Sequence, residues 1–264
     1  MSQVNPQALN HYRTMIRERY PRRFPELYTF SPEILVPTFR EAIRENNEDA
    51  IRRLLHPVGP QVYAFEMLVP EFCDKLIEET EAFGDWCTVN DLHKNVPNTM
   101  NNYGAVLDDF GFTPFLDELM QTAVLPLSRF LYPDVVGATL DNHHGFVVDY
   151  EMGKDEHLDF HVDQSDVTLN VCLGQTFTDG NLYFGGIRCA VHQQTMPRPE
   201  EAFTVQHQPG QALLHRGKHR HAAENITAGR RMNLILWCMS STYQNQYDSH
   251  ACTQWCCWQP EADS

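Results

Sequence analysis

EHLDFHVDQSDVTLNVCLG, residues 156–174, carries two patterns at once. Its second half alternates. Val167, Leu169 and Val171 fall on one face and Thr168, Asn170 and Cys172 on the other, because successive side chains of a strand point to opposite sides. Its first half holds two His-x-Asp triplets, His157/Asp159 and His161/Asp163. Residues i and i+2 of a strand share a face, so each triplet projects an imidazole and a carboxylate into one space. That supplies two corners of a 2-His-1-carboxylate metal site. In a chain with 13 histidines the triplet alone is a weak signal. A third ligand has to come from another strand.

Outward from this stretch the strand rhythm continues. ATLDNHHGFVVDYE, NLYFGG, FTVQHQ, QALLHRG and RMNLILWCMS are short, apolar or alternating, and separated by Gly or Pro signals. Such a run predicts an all-β sandwich or barrel. Upstream, residues 1–60 read as mostly helical, with Ser31-Pro32-Glu33 as a helix start and Phe39, Ile43, Ile51, Leu54 and Leu55 near helical spacing. VYAFEML predicts a strand. VPEFCDKLIEETEAFGDW predicts a capped helix with Leu68, Phe72, Leu76, Ile77 and Phe83 on its buried stripe. KNVPNTMNNYGAVLDDFGF, rich in Asn, reads as a loop, and TPFLDELMQTAVLPLSRFLYP as helix again. Helices followed by strands fit an α+β, mainly β domain with helices packed on a β core.

The partner for the first triplet lies in LLHRGKHRHAAENITAGRRMNLILW, residues 213–237. His215, His219 and His221 are all candidate third ligands on residue type. Arg230 and Arg231 open the strand that follows. An arginine suits a dicarboxylate because its planar fork grips a carboxylate in a bidentate manner and stays charged.

The formal net charge of -15 argues against a broad phosphate-binding surface. No stretch approaches the roughly 20 apolar residues of a membrane span, and MSQVNPQALNHYRTMI lacks a signal-peptide core, so cytoplasmic or nuclear residence is expected. The eight cysteines are then expected as thiols or metal ligands. His250, Cys252, Cys256 and Cys257 form a crowded C-terminal set whose spacing matches no standard zinc finger.

Taken together, HVDQSDVTLNVCLG, GGIRC, GQALLHRGKHRHAAENITAGRRMNLILWC and the loop PNTMNNYG resemble the catalytic core of the Fe(II)- and 2-oxoglutarate-dependent dioxygenases. The resemblance spans residues 62–242. Within that superfamily it points to prolyl/lysyl hydroxylase-type domains and to the 2-oxoglutarate and iron-dependent oxygenase domain-containing proteins. It implies a double-stranded β-helix (jelly-roll) core with flanking helices, arranged as a helical extension (1–60), a dioxygenase domain (61–242) and a Cys/Trp-rich tail (243–264).

The family pattern places an arginine ten residues after the distal histidine. His221 puts it on Arg231, whereas His219 would put it on Gly229 and His215 on Asn225. The resemblance therefore implies Fe(II) on His161, Asp163 and His221, and 2-oxoglutarate on Arg231. Tyr150, Thr168 and Asn170 are expected beside the co-substrate, and Asn98, Thr99, Asn101, Asn102, Tyr103 and Arg188 beside the prime substrate. His157 and Asp159 become rim residues, and His215, His219, Arg216, Arg220 and Arg230 supporting or surface ones. O2 is the further co-substrate and ascorbate a candidate reductant. The expected reaction is hydroxylation of a C–H bond, on a prolyl, lysyl or other side chain of an intracellular protein. A nucleic-acid demethylase of the same chemistry is disfavoured by charge. A non-enzymatic cupin-like protein would carry a damaged triad or lack the arginine, and a zinc hydrolase would have no use for Arg231. The oligomeric state is left open.

Overall fold

The alternation in residues 167–173 continues into every strand beside them and divides the interior in two. The computed structural model describes residues 5–136 and 139–246. Its helical first part contains α1 (Pro6–Arg19), α2 (Pro37–Glu45) and α3 (Glu48–Leu54). Next come β1 (His56–Gly59), β2 (Val62–Glu66), α4 (Pro70–Val89), β3 (Gly104–Val106), α5 (Thr113–Leu119), α6 (Leu125–Leu131) and α7 (Pro133–Val136). The β part follows as β4 (Asn142–Glu151), β5 (Leu158–His161), β6 (Val167–Gly174), β7 (Phe177–Asp179), β8 (Leu182–Ile187), β9 (Ala202–Val205), β10 (Gln211–Arg216), β11 (His219–Ala223) and β12 (Ile226–Met239), before α8 (Ser241–Gln246).

The larger sheet runs β1-β2-β10-β6-β12-β4-β3, with β7 also paired to β12, and the smaller runs β5-β11-β8-β9. All strand pairs are antiparallel. The two sheets are the layers of a jelly roll. The outer face of the large sheet presents Val167, Leu169, Val171, Leu214, Leu234 and Leu236 to the helices. Its inner face presents Ala64, Phe146, Val148, Leu213 and Ile235 to Leu182, Phe184 and Ala223 of the small sheet. Both faces of the central strands are covered, so β6 is buried along its whole length.

The N-terminal helices share the outer core with α4 rather than standing apart from it. Ile16, Tyr20, Phe39 and Ile51 belong to the same cluster as Phe72, Leu76 and Ile77. The wholly buried Glu79 of α4 ties the segments together, accepting hydrogen bonds from Phe24 N (2.7 Å) and the Tyr28 hydroxyl (2.6 Å). Local signals explain the boundaries. Asn5 caps α1 ahead of Pro6, and Asn47 accepts from Ala50 N at the start of α3, which has acids in its first turn and Arg52 and Arg53 in its last.

Three boundaries differ from the sequence expectation. Ser31-Pro32-Glu33 opens a short 3-10 turn, and the α-helix starts only at Pro37. Val69 gives α4 no side-chain cap, its first position being held by Pro70. The Asn-rich loop ends at Tyr103, where Gly104 (φ 123°) turns the chain into β3 and a 3-10 turn at Leu107–Phe110. No helix among the described residues is long and apolar enough to cross a membrane. His250, Cys252, Cys256 and Cys257 lie outside the described residues.

Candidate active site

His161 ends β5 and pairs across the strands with His221 of β11, which brings the two rings to a centroid distance of 4.3 Å. Both imidazoles are fixed in the same way. His161 Nδ1 meets the Asp159 carbonyl at 2.7 Å, and His221 Nδ1 meets the His219 carbonyl at 2.9 Å. A carbonyl only accepts, so Nδ1 carries the proton in each ring and the Nε2 lone pair faces inward. Asp163 Oδ1 lies 3.5 Å from His161 Nε2 and 3.7 Å from His221 Nε2. The ligand atoms of the three residues all lie within 4.8 Å of one another. Donors about 2.1 Å from a shared ion lie roughly 3–4 Å apart, so two neutral imidazoles and one carboxylate here fit a divalent metal.

The charge states of Asp163 and His221 agree with that fit. Burial opposes ionisation of Asp163, but the neighbouring His221 and His161 outweigh it and hold the carboxyl well below its usual range. Burial lowers His221 to about 3, which keeps it neutral. Burial also works against a charged His161, yet its contact with Asp163 carries the net shift upward.

Oδ1 is the Asp163 oxygen nearest His161 and His221, and Oδ2 is engaged elsewhere. It accepts a 2.6 Å hydrogen bond from the Thr168 hydroxyl, which itself lies 2.7 Å from Ser165 Oγ. Thr168 was expected beside the co-substrate. It does line the cavity, but its hydroxyl is engaged by the carboxylate. His215 reaches the same region from the opposite sheet. Its Nδ1 is bonded to the Arg216 carbonyl, while its buried Nε2 has no partner and sits 4.0 Å from Asp163 Oδ2. His219 is fully buried with neither ring nitrogen hydrogen-bonded. His215 and His219 are therefore interior residues around the cluster, not surface ones.

The far end of the cavity is built around Arg231, which is 1 % exposed. The guanidinium donates to the Gly180 carbonyl and lies 4.6 Å over the Tyr150 ring and 5.9 Å from that of Phe177. Its Nε has no hydrogen-bond partner, and no carboxylate among the described residues forms an ion pair with it. Buried guanidinium groups are ordinarily paired with an acid. This one lacks its acid inside a cavity, which is the chemistry of a carboxylate-binding pocket. Arg230, one residue earlier on β12, faces the other way and pairs with Asp149 (2.7 Å) and with Glu81.

The cavity joining the two ends measures about 630 Å³ and is lined by His161, Asp163, His221, Arg231, Tyr150, Thr168 and Asn170 together with Asn98, Thr99 and Asn101. Asn170 accepts from Asn233 Nδ2 at 2.6 Å, and Asn233 contacts His207. The loop closes one wall. Asn98 accepts from the main chain of Met100 and Asn101, and Asn101 donates to the Tyr150 hydroxyl at 3.3 Å. Asn102 and Tyr103 sit outside the cavity, with their backbone NH groups on Asp155.

Arg188 is also outside the cavity. It is buried against Glu201 (2.6 Å) and Thr195 (2.9 Å), where it braces the segment after β8. His157 and Asp159 stand at the exposed rim, apart from the triad. Several cavity residues were not singled out from sequence, notably Asn233 and Trp237 on β12 and His144 on β4. Strand parity was the available signal. Arg231, Asn233, Ile235 and Trp237 share one face, as do His144, Phe146, Val148 and Tyr150.

The comparisons with known proteins agree with this geometry. Residues 16–137 match the OGFOD2-like domain. The chain is 45% identical over 252 residues to "2-oxoglutarate and iron-dependent oxygenase domain-containing protein CP2" of Arabidopsis thaliana, covering 95% of this chain and 64% of that protein. It thus spans less than two thirds of that relative's length. To "2-oxoglutarate and iron-dependent oxygenase domain-containing protein 2" of Xenopus tropicalis it is 39% identical over 244 residues, covering 89% of this chain and 67% of the relative. Among solved structures, a prolyl 4-hydroxylase of Phytophthora capsici superposes with a TM-score of 0.52 at 15% identity, over 83% of this chain and 70% of the other, which supports the jelly-roll fold. With a two-histidine, one-carboxylate cluster and a buried arginine without a carboxylate partner among the described residues in one jelly-roll cavity, and with relatives of this identity and coverage, the chain belongs to the family of 2-oxoglutarate and iron-dependent oxygenase domain-containing proteins.

Proposed function

We propose that this chain is an Fe(II)- and 2-oxoglutarate-dependent dioxygenase that hydroxylates a C–H bond of a protein side chain, releasing succinate and CO2. One observation carries the reading. A buried arginine with no carboxylate partner among the described residues shares a single cavity with two imidazole nitrogens and a carboxylate oxygen that lie within 4.8 Å of one another. In this reading His161, Asp163 and His221 hold the iron, and Arg231 holds the far carboxylate of 2-oxoglutarate. Bound there, Fe(II) with 2-oxoglutarate and O2 supplies an oxidative decarboxylation in which one oxygen atom enters succinate and the other the substrate.

The protein's contribution is positioning. The Asp159 and His219 carbonyls fix which imidazole nitrogen faces the metal. Tyr150 packs its ring on the guanidinium and receives Asn101 at its hydroxyl, so the loop wall and the co-substrate end are mechanically joined. The apolar residues Phe146, Val148, Leu182, Ala223 and Ile235 line the cavity and form the apolar cluster between the two sheets. The prolyl/lysyl hydroxylase-type resemblance of the sequence supports a protein side chain as the prime substrate.

The test is anaerobic addition of Fe(II) and 2-oxoglutarate, followed by air, with and without ascorbate. A weak visible charge-transfer band and slow substrate-independent succinate formation are expected, and Asp163→Ala should abolish both. A folded wild-type protein showing neither refutes the reading. Turnover with peptide and oligonucleotide pools, followed by mass spectrometry, then tests the substrate class. A gain of one oxygen on peptides supports the proposal, and modification of oligonucleotides alone contradicts it.

A further inference from the structure

The two oxygens of Asp163 are treated differently by the fold. Oδ1 faces both ligand histidines, at 3.5 and 3.7 Å. Oδ2 receives the Thr168 hydroxyl at 2.6 Å, and Thr168 is its hydrogen-bond donor among the described residues. Thr168 has one hydroxyl proton and gives it to Asp163, so Ser165 Oγ, 2.7 Å away, donates to Thr168. All three side chains are buried. His215 closes the same side but offers Oδ2 no donor, since its proton lies on Nδ1 against the Arg216 carbonyl. The main chain is pinned as well. Asp163 N donates to the Gly217 carbonyl (2.9 Å) and Gly217 N to the Asp166 carbonyl (3.1 Å). Residue 217 has to be glycine for this approach, because a Cβ there would stand 2.0 Å from the Ser165 carbonyl oxygen.

We infer that Thr168, backed by Ser165, is a positioning residue that presents Asp163 to the metal through Oδ1 alone. The inference rests on the metal site proposed above. A carboxylate with both oxygens free can turn to chelate an ion with both, which would occupy a coordination position needed by the co-substrates. A charge-assisted O–H···O⁻ bond at this distance, between buried side chains, fixes the carboxylate torsion and withdraws Oδ2 from the metal. Loss of the hydroxyl would leave Oδ2 without a donor and facing a histidine lone pair. The carboxylate is then no longer held in place for the ion and is free to rotate.

The test uses the whole chain and Co(II), which is redox-silent under these conditions and whose d–d bands report coordination number. Thr168→Val, nearly isosteric, is expected to weaken Co(II) binding about 10–100-fold, the usual cost of losing an outer hydrogen bond to a metal ligand. Its d–d spectrum should also shift. Thr168→Ala, which cannot overpack, should do the same, and Thr168→Ser should restore wild-type affinity and spectrum. Thermal midpoints without metal confirm folding. Folded Val and Ala variants that bind Co(II) with wild-type affinity and spectrum overturn the inference. A loss that serine does not rescue overturns it too, since that outcome marks packing rather than the hydroxyl. Asp163→Ala separates the two claims. If it retains the Co(II) site, the proposed metal site itself is wrong, whatever Thr168 does.

Discussion

Replacing Arg231 with methionine should make the ligand-free protein no less stable while removing its response to 2-oxoglutarate. The guanidinium is 1 % exposed, leaves Nε without a partner and has no acid paired with it among the described residues. Methionine keeps an unbranched stem against Tyr150 and Phe177 and removes a charge from an apolar setting. Exchanging a whole buried ion pair or triad for apolar residues of similar volume is often neutral or stabilising, by about 1–4 kcal/mol, and here no described acid is left behind unpaired. At roughly 2–4 °C per kcal/mol for a chain of this size, the ligand-free midpoint should hold or rise by a few degrees.

Ligand response is expected to move the other way. A co-substrate at 100 times its Kd stabilises the wild type by about 2.7 kcal/mol. That corresponds to roughly 5–10 °C in midpoint. Truncating one partner of a buried charge pair costs about 2–5 kcal/mol of affinity. At the same ligand concentration the variant's stabilisation then falls below about 1 kcal/mol. The assay is thermal unfolding with Mn(II) present throughout, with and without 2-oxoglutarate. A drop of several degrees in the ligand-free midpoint would show that Arg231 serves the fold. An undiminished ligand shift would show that the co-substrate binds elsewhere. Either result refutes the reasoning.

Further outcomes are expected. Asn101→Ala removes the donor to the Tyr150 hydroxyl, and at about 1 kcal/mol for a buried hydrogen bond should raise the 2-oxoglutarate KM roughly 5-fold. Asn102→Ala, outside the cavity, should leave that KM near wild type, and equal effects from both would contradict the placement of the loop. Gly217→Ala drives a Cβ into the Ser165 carbonyl and should cost about 1–3 kcal/mol, read as a shift in the urea midpoint. Burial, with Arg231 adding to it, lowers His207 to about 3, and burial also lowers His144. Histidine in the unfolded chain titrates near 6.5, so below that pH the unfolded state binds more protons than the folded one. Stability of the metal-free protein should therefore hold above about pH 6.5 and fall as pH drops toward 3. His207→Gln should flatten this dependence in urea titrations between pH 7.5 and 5, and an unchanged slope would exclude His207 as a contributor.

Much of the site could be read from the sequence because period-two alternation and short motifs act locally. Thr168 and Asn170 follow from parity on β6 and the two His-x-Asp triplets from spacing, while the choice of His161 with Asp163 between them came from the family resemblance. The three histidines of the 213–237 stretch were harder. His215 lies on β10 of the large sheet, whereas His219 and His221 lie on β11 of the small one, and the chain changes sheets at Gly217 and Lys218. All three reach the interior, but from opposite layers, so counting parity along one continuous strand misdescribes them. Arg188 shows a different limit. Its partner Glu201 is 13 residues away across an irregular segment, and no periodicity in the sequence announces such a pair. The role of the Thr168 hydroxyl was likewise invisible, because parity gives a side chain its face but not its hydrogen-bond partner. β1 begins at His56 within the stretch read as mostly helical, because His56 and Pro57 pair with Ala64 and Tyr63 of β2, a contact set by the sheet.

The most direct test of the central claim is a calorimetric titration of 2-oxoglutarate into the protein with and without Mn(II), which takes the metal site without turnover. The account predicts one saturable site that requires the metal, is lost in Asp163→Ala and is greatly weakened in Arg231→Met. A folded wild-type protein that binds no 2-oxoglutarate in the presence of Mn(II), or binds it equally well without metal, would contradict it.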